Sequence, residues 1–444
     1  MSHEIPAWAS AAVWYSVYPL GACGAPIRAA DSPGPHHRLR RLLGWLDHIV
    51  ALGANGLALG PLWASSTHGY DIIDHDVIDA RLVDDHDFDD LGAACHERGL
   101  RVLLDGVFNH VSAQHPDVCA AIAQGPDSPA GRLFRHDPAQ ADGLARFEGH
   151  SSLVEYDHDN PAVIDRVVAT MTHWLGRGAD GWRLDAAYRV APPFWAQVMA
   201  QVQTDFPQAL TVGEILHGDY AAIAAAACID SVTQYELWKA IWSSLKDRNP
   251  HELVWALQRH ATALDARPGC FLPWTFVGNH DVTRIASQVG PHDALVATAL
   301  LSTLPGMSAI YYGDEFGFTG IKEERLGGDD AVRPALPDDP SALLQPEAGQ
   351  PDQTDPAWGD PAAWAETLRQ HQLLLGLRRR HPWLQWAGLT ITDQPYQRLA
   401  YRLTPGPGAG GSAGSSPWLA VTLDTASQPS RLTISDQSGL LYSL

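Results

Sequence analysis

The chain has 444 residues, with 30 lysines and arginines against 51 aspartates and glutamates, and its formal net charge is −21 at pH 7. This length suffices for a complete catalytic domain, since a typical α/β barrel takes about 250 residues. So acidic a surface repels nucleic acids and anionic membranes, and neither is an expected partner. A small neutral ligand is more natural, and 16 tryptophans supply flat rings for packing or stacking.

The first residues of the chain lack the basic stretch and following apolar stretch of a secretion signal. No run of about 18 apolar residues occurs later in the sequence. We therefore expect a soluble, cytoplasmic protein. Five cysteines are scattered without a C-x-x-C spacing, so the sequence indicates neither a disulfide framework nor a structural zinc site.

Eight short apolar runs alternate with amphipathic segments, and they predict strands that are buried on both faces. Between them, apolar residues recur at helical spacing, as in residues 39–50 and 161–175. Asn160 and Pro161 form a good helix start for the second of these segments. Eight such units predict a (β/α)8 barrel rather than an open doubly wound sheet. The candidate strands are residues 13–18, 56–62, 100–105, 181–185, 210–214, 228–233, 274–279 and 308–312.

Two segments depart from this alternation. Residues 111–159 are polar and rich in proline, glycine, histidine and aspartate, which predicts a domain inserted after the third strand. Beyond residue 382, short runs of alternating polarity predict a small antiparallel β-domain, with a Gly-, Ser- and Pro-rich hairpin loop at residues 405–417. We therefore divide the chain into a barrel (residues 1–110 and 160–382), an insertion (111–159) and a C-terminal β-domain (383–444).

Acidic residues follow four of the candidate strands, in residues 105–110, 181–185, 213–214 and 278–281. In a (β/α)8 barrel the carboxyl ends of the strands form the active face, so these side chains are expected to meet. A lone acid at a strand end is usually a loop or cap residue, but four on one face indicate catalysis. Arg183 and Asp185 alternate by two and point to one side of their strand, so Arg183 can keep Asp185 ionised.

These strand ends, in this order, resemble the four sequence regions by which the α-amylase family of retaining glycoside hydrolases (family thirteen) is known. Two further stretches resemble the family: residues 68–71 after the second strand, and residues 327–333 after the eighth. The resemblance spans about residues 13–335. It implies a (β/α)8 TIM barrel with a short insertion after strand three and a C-terminal β-domain, and the activity of an O-glycosyl hydrolase.

The resemblance also implies a role for each matching residue. Asp185 would be the nucleophile, Glu214 the general acid/base and Asp281 the carboxylate that stabilises the transition state. In retaining hydrolysis the first two carboxyl groups lie about 5–5.5 Å apart. Asp105 would act behind the site by orienting its neighbours. Substrate contacts are implied for Tyr70, His110, Arg183, His280, Asp329 and Arg333.

The implied substrates are small α-glucosides, namely α-1,4-linked malto-oligosaccharides or related α-glucans, with cyclodextrins among them. A glucosyl transferase or isomerase on the same substrates is the alternative, because a sugar can replace water in capturing the glycosyl-enzyme. A non-catalytic carbohydrate-binding or partner protein is a third reading, and the presence of all three carboxylates argues against it. The sequence leaves the linkage, endo or exo action and the oligomeric state open.

The resemblance requires no cofactor. Many members of the family bind calcium between the barrel and the insertion, often through the asparagine that corresponds to Asn109. Hard oxygen ligands are available nearby in Asp142, Asp157 and Asp159. We therefore expect calcium as a candidate ion, with Asn109 as a candidate ligand.

Overall fold

The computed structural model describes residues 4–28, 36–82, 85–344, 356–406 and 417–444. Most of the hairpin loop predicted at residues 405–417 lies outside the described residues. The strands are β1 (Val13–Val17), β2 (Gly56–Leu59), β3 (Trp63–Ser65), β4 (Ile72–Ile78), β5 (Arg101–Gly106), β6 (His110–Ser112), β7 (Leu153–Glu155), β8 (Gly181–Leu184), β9 (Leu210–Gly213), β10 (Ser231–Val232), β11 (Trp274–Phe276), β12 (Met307–Tyr311), β13 (Ala387–Asp393), β14 (Arg398–Pro405), β15 (Leu419–Asp424), β16 (Arg431–Asp436) and β17 (Gly439–Ser443). The helices are α1 (Pro19–Ala22), α2 (Arg41–Leu52), α3 (Asp85–Glu97), α4 (Pro116–Gln124), α5 (Pro161–Gly176), α6 (Pro192–Asp205), α7 (Tyr220–Ala227), α8 (Tyr235–Lys246), α9 (His251–Ala266), α10 (Ile285–Val289), α11 (Pro291–Thr303), α12 (Ser341–Leu344) and α13 (Trp364–Arg380).

Eight parallel strands form the central sheet, in the order β10-β9-β8-β5-β2-β1-β12-β11. The two end strands approach each other through a parallel bridge between Thr233 and Trp274. Beside that bridge, the Gln234 N–H donates to the carbonyl of Trp274 at 3.0 Å. The sheet is therefore a nearly closed barrel, and the prediction of a (β/α)8 architecture from eight apolar runs is confirmed.

Helices cover the outside of the barrel with their apolar faces turned inward. Helix α5 begins where Asn160 and Pro161 predict it, and the Asn160 Oδ1 accepts a hydrogen bond from the Ala162 N–H at 3.0 Å. Its buried stripe includes Met171 and Trp174. Each such side chain contributes about 1.5–3 kcal/mol when fully buried.

Apolar side chains fill the lower part of the barrel. We call one group of them the lumen floor; its members are Trp14, Leu103, Val212, Trp274 and Met307, all buried in one cluster. The rings of Trp14 and Trp274 stack with centroids 5.4 Å apart. The floor is a packed layer, as expected for a barrel of eight strands.

Two small antiparallel sheets rise from the barrel loops. Strands β3 and β4 pair after β2, and strands β6 and β7 pair at the two ends of the predicted insertion. Helix α4 lies within that insertion, and the His115 side chain caps it by accepting from the Asp117 N–H at 3.1 Å. The sequence analysis predicted neither the β3–β4 hairpin nor α4, because β3 has only three residues and the insertion lacks a sustained period.

The chain ends in a five-stranded antiparallel sheet in the order β13-β14-β15-β16-β17, and this confirms the predicted C-terminal β-structure. Arg378, in the last turn of α13, is buried and donates to the Leu304 carbonyl at 2.7 Å. Tyr401 of β14 shares a hydrogen bond with Thr303 of α11 at 2.7 Å. In the described part of the chain, no helix combines the length and apolar character needed to cross a membrane.

Candidate active site

A cleft with a volume of about 760 Å³ lies at the carboxyl ends of the barrel strands. Asp185, Glu214 and Asp281 all line it. Residues 147–153 of the insertion form part of one wall, and residues 322–329 of the loop after β12 form part of another. The structure thus brings the three predicted catalytic carboxylates into one open site.

Arg183 is the centre of the charged network at the base of this cleft. Its Nη1 lies 2.8 Å from Oδ1 of Asp105 and 2.8 Å from Oδ1 of Asp185. Its Nη2 lies 2.9 Å from Oε1 of Glu214. One guanidinium therefore holds three carboxylates, and it places Asp185 and Glu214 side by side.

The Asp185 carboxyl group departs from the behaviour predicted from the sequence. Burial raises its pKa well above the usual range, and the charges of Glu214 and Asp105 raise it further. Arg183 lowers the pKa, which is the predicted direction, but it does not prevail. The physical reason is mainly the burial of the carboxyl group, and the one guanidinium that opposes it is also shared with Asp105 and Glu214.

Asp281 has the opposite balance. Burial acts to raise its pKa, yet the charges and hydrogen bonds of His280 and Arg333 hold it below the usual range. His280 Nε2 lies 2.9 Å from Oδ2 of Asp281, and Arg333 Nη2 lies 2.8 Å from Oδ1. Asp281 is therefore ionised at neutral pH.

Tyr70, His280 and Asp105 form a second contact group beside Arg183. The Tyr70 hydroxyl donates to Oδ2 of Asp105 at 3.1 Å and also contacts His280 Nε2. The rings of Tyr70 and His280 stack with centroids 5.2 Å apart. Asp105 thus contacts both Arg183 and Tyr70, which are two of the predicted substrate-binding residues.

His110 lies in the wall beneath the insertion, with its ring stacked on Phe147 at 4.3 Å. Burial lowers the pKa of His110 to about 3, so the ring is neutral and carries a single N–H. That Nε2–H donates to the Tyr70 carbonyl at 3.1 Å, which leaves Nδ1 to accept from the Asn109 amide at 3.1 Å. The N–H expected to meet a sugar hydroxyl is therefore engaged by the protein here.

Two of the residues considered for calcium contact protein groups. Nδ2 of Asn109 lies 3.1 Å from Nδ1 of His110. The Asp142 carboxylate contacts the guanidinium of Arg146 and caps the Leu144 N–H at 3.2 Å. Across the described ranges, no group of three or more His, Cys, Asp or Glu side chains is arranged to hold a metal ion.

Arg333 contacts Asp329, the other predicted substrate-binding residue of its loop, and also contacts the rest of the site. Its guanidinium contacts Asp329 as well as Asp281, and its Nε donates to the His280 carbonyl at 2.9 Å. Tyr18 lies under the guanidinium, 4.3 Å from ring centroid to Cζ. The structure therefore brings all ten predicted residues, together with Asn109, to one end of the barrel.

Two further contacts on Glu214 escaped the sequence analysis. Its Oε2 accepts from the backbone N–H of Ala186 at 2.9 Å, and its Oε1 accepts from the Tyr235 hydroxyl at 3.0 Å. Ala186 has a left-handed φ of 46°, which is uncommon for a residue other than glycine. Tyr235 begins α8, just after the sixth barrel strand, and its position at a strand end was a usable signal.

Comparison with known proteins agrees with the family resemblance of the sequence. Residues 39–387 match the model of the α-amylase catalytic domain. Neopullulanase 2 of Thermoactinomyces vulgaris is 29% identical over 344 residues, which cover 72% of this chain and 58% of that protein. The cyclomaltodextrinase of Geobacillus thermopakistaniensis is 28% identical over 343 residues, covering 71% and 58% of the two chains.

Among solved structures, the cyclic α-maltosyl-(1→6)-maltose hydrolase of Arthrobacter globiformis has the same fold. Its TM-score is 0.77 at 24% identity, with 95% of this chain and 92% of that chain covered. The chain spans less than two thirds of the two curated relatives, at 58% of each. The match to the catalytic-domain model over residues 39–387 shows that the chain belongs to the α-amylase family.

Proposed function

We propose that this protein is a retaining glycoside hydrolase that cleaves α-1,4-glucosidic bonds in malto-oligosaccharides or related α-glucans. One observation carries the proposal: Asp185 and Glu214 share the Arg183 guanidinium in an open cleft that also holds ionised Asp281. The names of the relatives, a neopullulanase, a cyclomaltodextrinase and a maltogenic amylase, support the substrate class.

In the first step, a carboxylate oxygen of Asp185 attacks the anomeric carbon, and the glycosidic C–O bond breaks. Glu214 gives its proton to the departing oxygen, so that a glycosyl ester on Asp185 and a free sugar hydroxyl result. In the second step, Glu214 takes a proton from water, and the water oxygen attacks the same carbon. Asp185 leaves as the carboxylate, and both residues return to their starting states.

Asp281 stabilises the positive charge that develops on the sugar ring in both transition states. Its low pKa suits this role, because the carboxylate stays ionised when the cleft closes around a neutral sugar. Arg333 and His280 fix its two oxygens at 2.8 and 2.9 Å. Tyr70, with its hydroxyl tied to Asp105, offers a ring face for stacking on the sugar.

We further propose residues 1–110 and 160–382 as the catalytic barrel, residues 111–159 as the inserted domain and residues 383–444 as the C-terminal β-domain. The pairing of β6 with β7 at the two ends of the insertion supports the boundary between the barrel and the insertion. A cytoplasmic location is part of the proposal as well. It is supported by a Bacillus subtilis relative, 27% identical over 338 residues, that is named an intracellular maltogenic amylase.

The test follows maltotriose cleavage by proton NMR on fresh digests. Two inversions at the anomeric carbon restore the starting configuration, so the first product signal should be the α-anomer. Initial release of the β-anomer would contradict the role of Asp185. The same time course separates hydrolysis from glucosyl transfer, because transfer produces oligosaccharides longer than the substrate.

A further inference from the structure

A chain of three hydrogen bonds connects the backbone of Asp281 to the side chain of Glu214. The Asp281 N–H donates to Oδ1 of Asn279 at 2.9 Å. Nδ2 of Asn279 donates to the Tyr235 hydroxyl oxygen at 2.9 Å. The Tyr235 hydroxyl donates to Oε1 of Glu214 at 3.0 Å. The two middle residues have no part in the reaction as described so far.

The direction of these three hydrogen bonds follows from the first one, which the Asp281 N–H donates. A backbone N–H can only donate, so the carbonyl oxygen of the Asn279 amide must face Asp281. The amide NH₂ group then faces Tyr235, and it can only donate as well. Because the tyrosine has one hydroxyl proton and its oxygen already accepts from Asn279, that proton points to Glu214.

The surroundings of Tyr235 hold this arrangement in place. Its ring packs edge-on against Phe276 at 5.0 Å and against Trp238 at 6.0 Å. Burial, with the nearby charges of Glu214 and Asp281, raises the pKa of Tyr235 well above its usual value. The hydroxyl therefore keeps its proton near neutral pH.

We propose that Tyr235 is a positioning residue for the acid/base Glu214, and that Asn279 sets the direction of its hydroxyl proton. This inference rests on the proposed function. A hydrogen bond donated to a carboxylate favours the ionised form, so loss of the Tyr235 hydroxyl should move the alkaline limb of the activity profile to higher pH. The hydroxyl fixes Oε1 of Glu214, while the Ala186 N–H fixes Oε2.

The main experiment compares Tyr235→Phe with the wild type on two substrates. The variant removes only the hydroxyl group. For maltotriose, whose leaving oxygen needs a proton, kcat/KM should fall roughly tenfold to a hundredfold, the effect of one hydrogen bond to a charged group. For α-maltosyl fluoride, whose leaving group needs no proton, the fall in kcat/KM should be much smaller. The alkaline limb of the maltotriose profile should move to higher pH.

Tyr401→Phe is the matched control. It also removes one buried tyrosine hydroxyl, which in this case is bonded to Thr303 at 2.7 Å beneath the C-terminal sheet. This control should lose some thermal stability while both substrates and the alkaline limb keep their wild-type behaviour. A general loss of folding would therefore be distinguished from a loss of positioning.

Asn279→Asp tests the direction of the hydrogen bonds through Tyr235. The new carboxylate has only acceptor oxygens, so it should draw the Tyr235 proton away from Glu214. Its alkaline limb should move to higher pH, as in Tyr235→Phe, and the double variant should show no further shift. Additive shifts would mean that the two residues act separately, and they would overturn the proposed direction.

The outcomes separate the two proposals. A wild-type enzyme that releases the α-anomer, together with a Tyr235→Phe variant that has an unchanged alkaline limb and equal losses on both substrates, overturns only the positioning role. A wild-type protein that hydrolyses neither substrate, or that inverts the anomer, overturns the proposed function itself. A substrate-dependent loss with a shifted limb supports the positioning role.

Discussion

The lumen floor and the rim, by which we mean the charged active-site residues at the carboxyl ends of the strands, are built by the same strands. The inward side chains change from apolar to charged within two residues. On β5, Leu103 belongs to the lumen floor and Asp105 to the active site. Val212 on β9 and Glu214 just after it stand in the same relation. Inward positions recur every second residue along a strand, so this change is a single layer deep. Packing and chemistry thus occupy adjacent layers of one barrel.

The two layers contribute differently to folding. The floor buries apolar rings, and its burial stabilises the barrel. The rim gathers five carboxylates around the guanidinium groups of Arg183 and Arg333, and the raised pKa of Asp185 shows that burial and negative charge disfavour its ionised form. We infer that the floor offsets the strain of a rim arranged for catalysis.

The largest expected effect comes from removing a carboxylate at the rim. Asp185→Asn and Glu214→Gln should each lower kcat by about 10⁴-fold or more, because each group acts mainly in the transition state. The double variant should lose less than the product of the two factors, since the residues act as one unit. Steady-state kinetics on maltotriose measures this.

The same Asp185→Asn variant should keep or gain thermal stability near neutral pH. A carboxyl group whose pKa is raised by folding opposes folding once the pH exceeds its pKa in the unfolded chain. The amide carries no charge and removes that penalty. A strong fall in melting temperature would contradict the contrast between floor and rim.

The next largest effect belongs to the floor. Trp14→Ala should lower the free energy of unfolding by about 3–5 kcal/mol, because it removes a fully buried ring that stacks on Trp274. At temperatures where the variant stays folded, kcat should remain within a few-fold of wild type. Denaturant unfolding measures the loss of stability, and steady-state kinetics on the same preparation measures kcat. A kcat lowered by powers of ten would mean that the floor and the rim do not act separately.

Arg183→Ala tests how the rim controls the protonation of Asp185. Arg183 lowers the pKa of Asp185, so its removal should raise that pKa further and move the acidic limb of the pH–activity profile upward. Arg177→Ala, which removes a partly buried guanidinium paired with Asp89, is the control and should leave the limb in place. An unmoved limb in an active Arg183 variant would refute the pairing.

The sequence predicted the barrel because strands buried on both faces appear as short, mostly apolar runs. It did not predict β17, whose residues Gly439–Ser443 are mostly exposed and have no clear alternation. Nor did it predict the β3–β4 hairpin, in which pairing is interrupted by register shifts on either side of Ala64. The local sequence pattern therefore predicted the strands whose residues are buried. It did not predict the strands whose pairing depends on neighbouring loops.

For the site, strand ends predicted which acids meet, because barrel geometry brings those positions together. The sharing of Arg183 among three carboxylates could not be predicted from the sequence, since it depends on distances between separate strands. The Ala186 N–H on Glu214 depends on one left-handed backbone angle. Tyr235 was not predicted, because only the strand ends that carry the predicted acids indicated the site.

The smallest expected effect concerns substrate length. Two contacts join loops at the rim of the cleft: the Tyr188 hydroxyl donates to Oε1 of Glu148 at 2.9 Å, and Arg28 Nε lies 3.2 Å from Oδ2 of Asp330. We expect these contacts to limit the room for glucose units beyond the reacting one. Remote units then add little binding energy that could be used in the transition state.

We therefore expect kcat/KM to rise by less than about tenfold from maltotriose to maltoheptaose, and soluble starch, per chain end, to be no better. Because the Arg28–Asp330 pair is partly exposed, it is worth less than about 1 kcal/mol. Arg28→Ala should change the heptaose-to-triose ratio by only a few-fold. If kcat/KM instead climbs steadily and starch is the best substrate, these contacts do not close the cleft, and the enzyme acts within long chains.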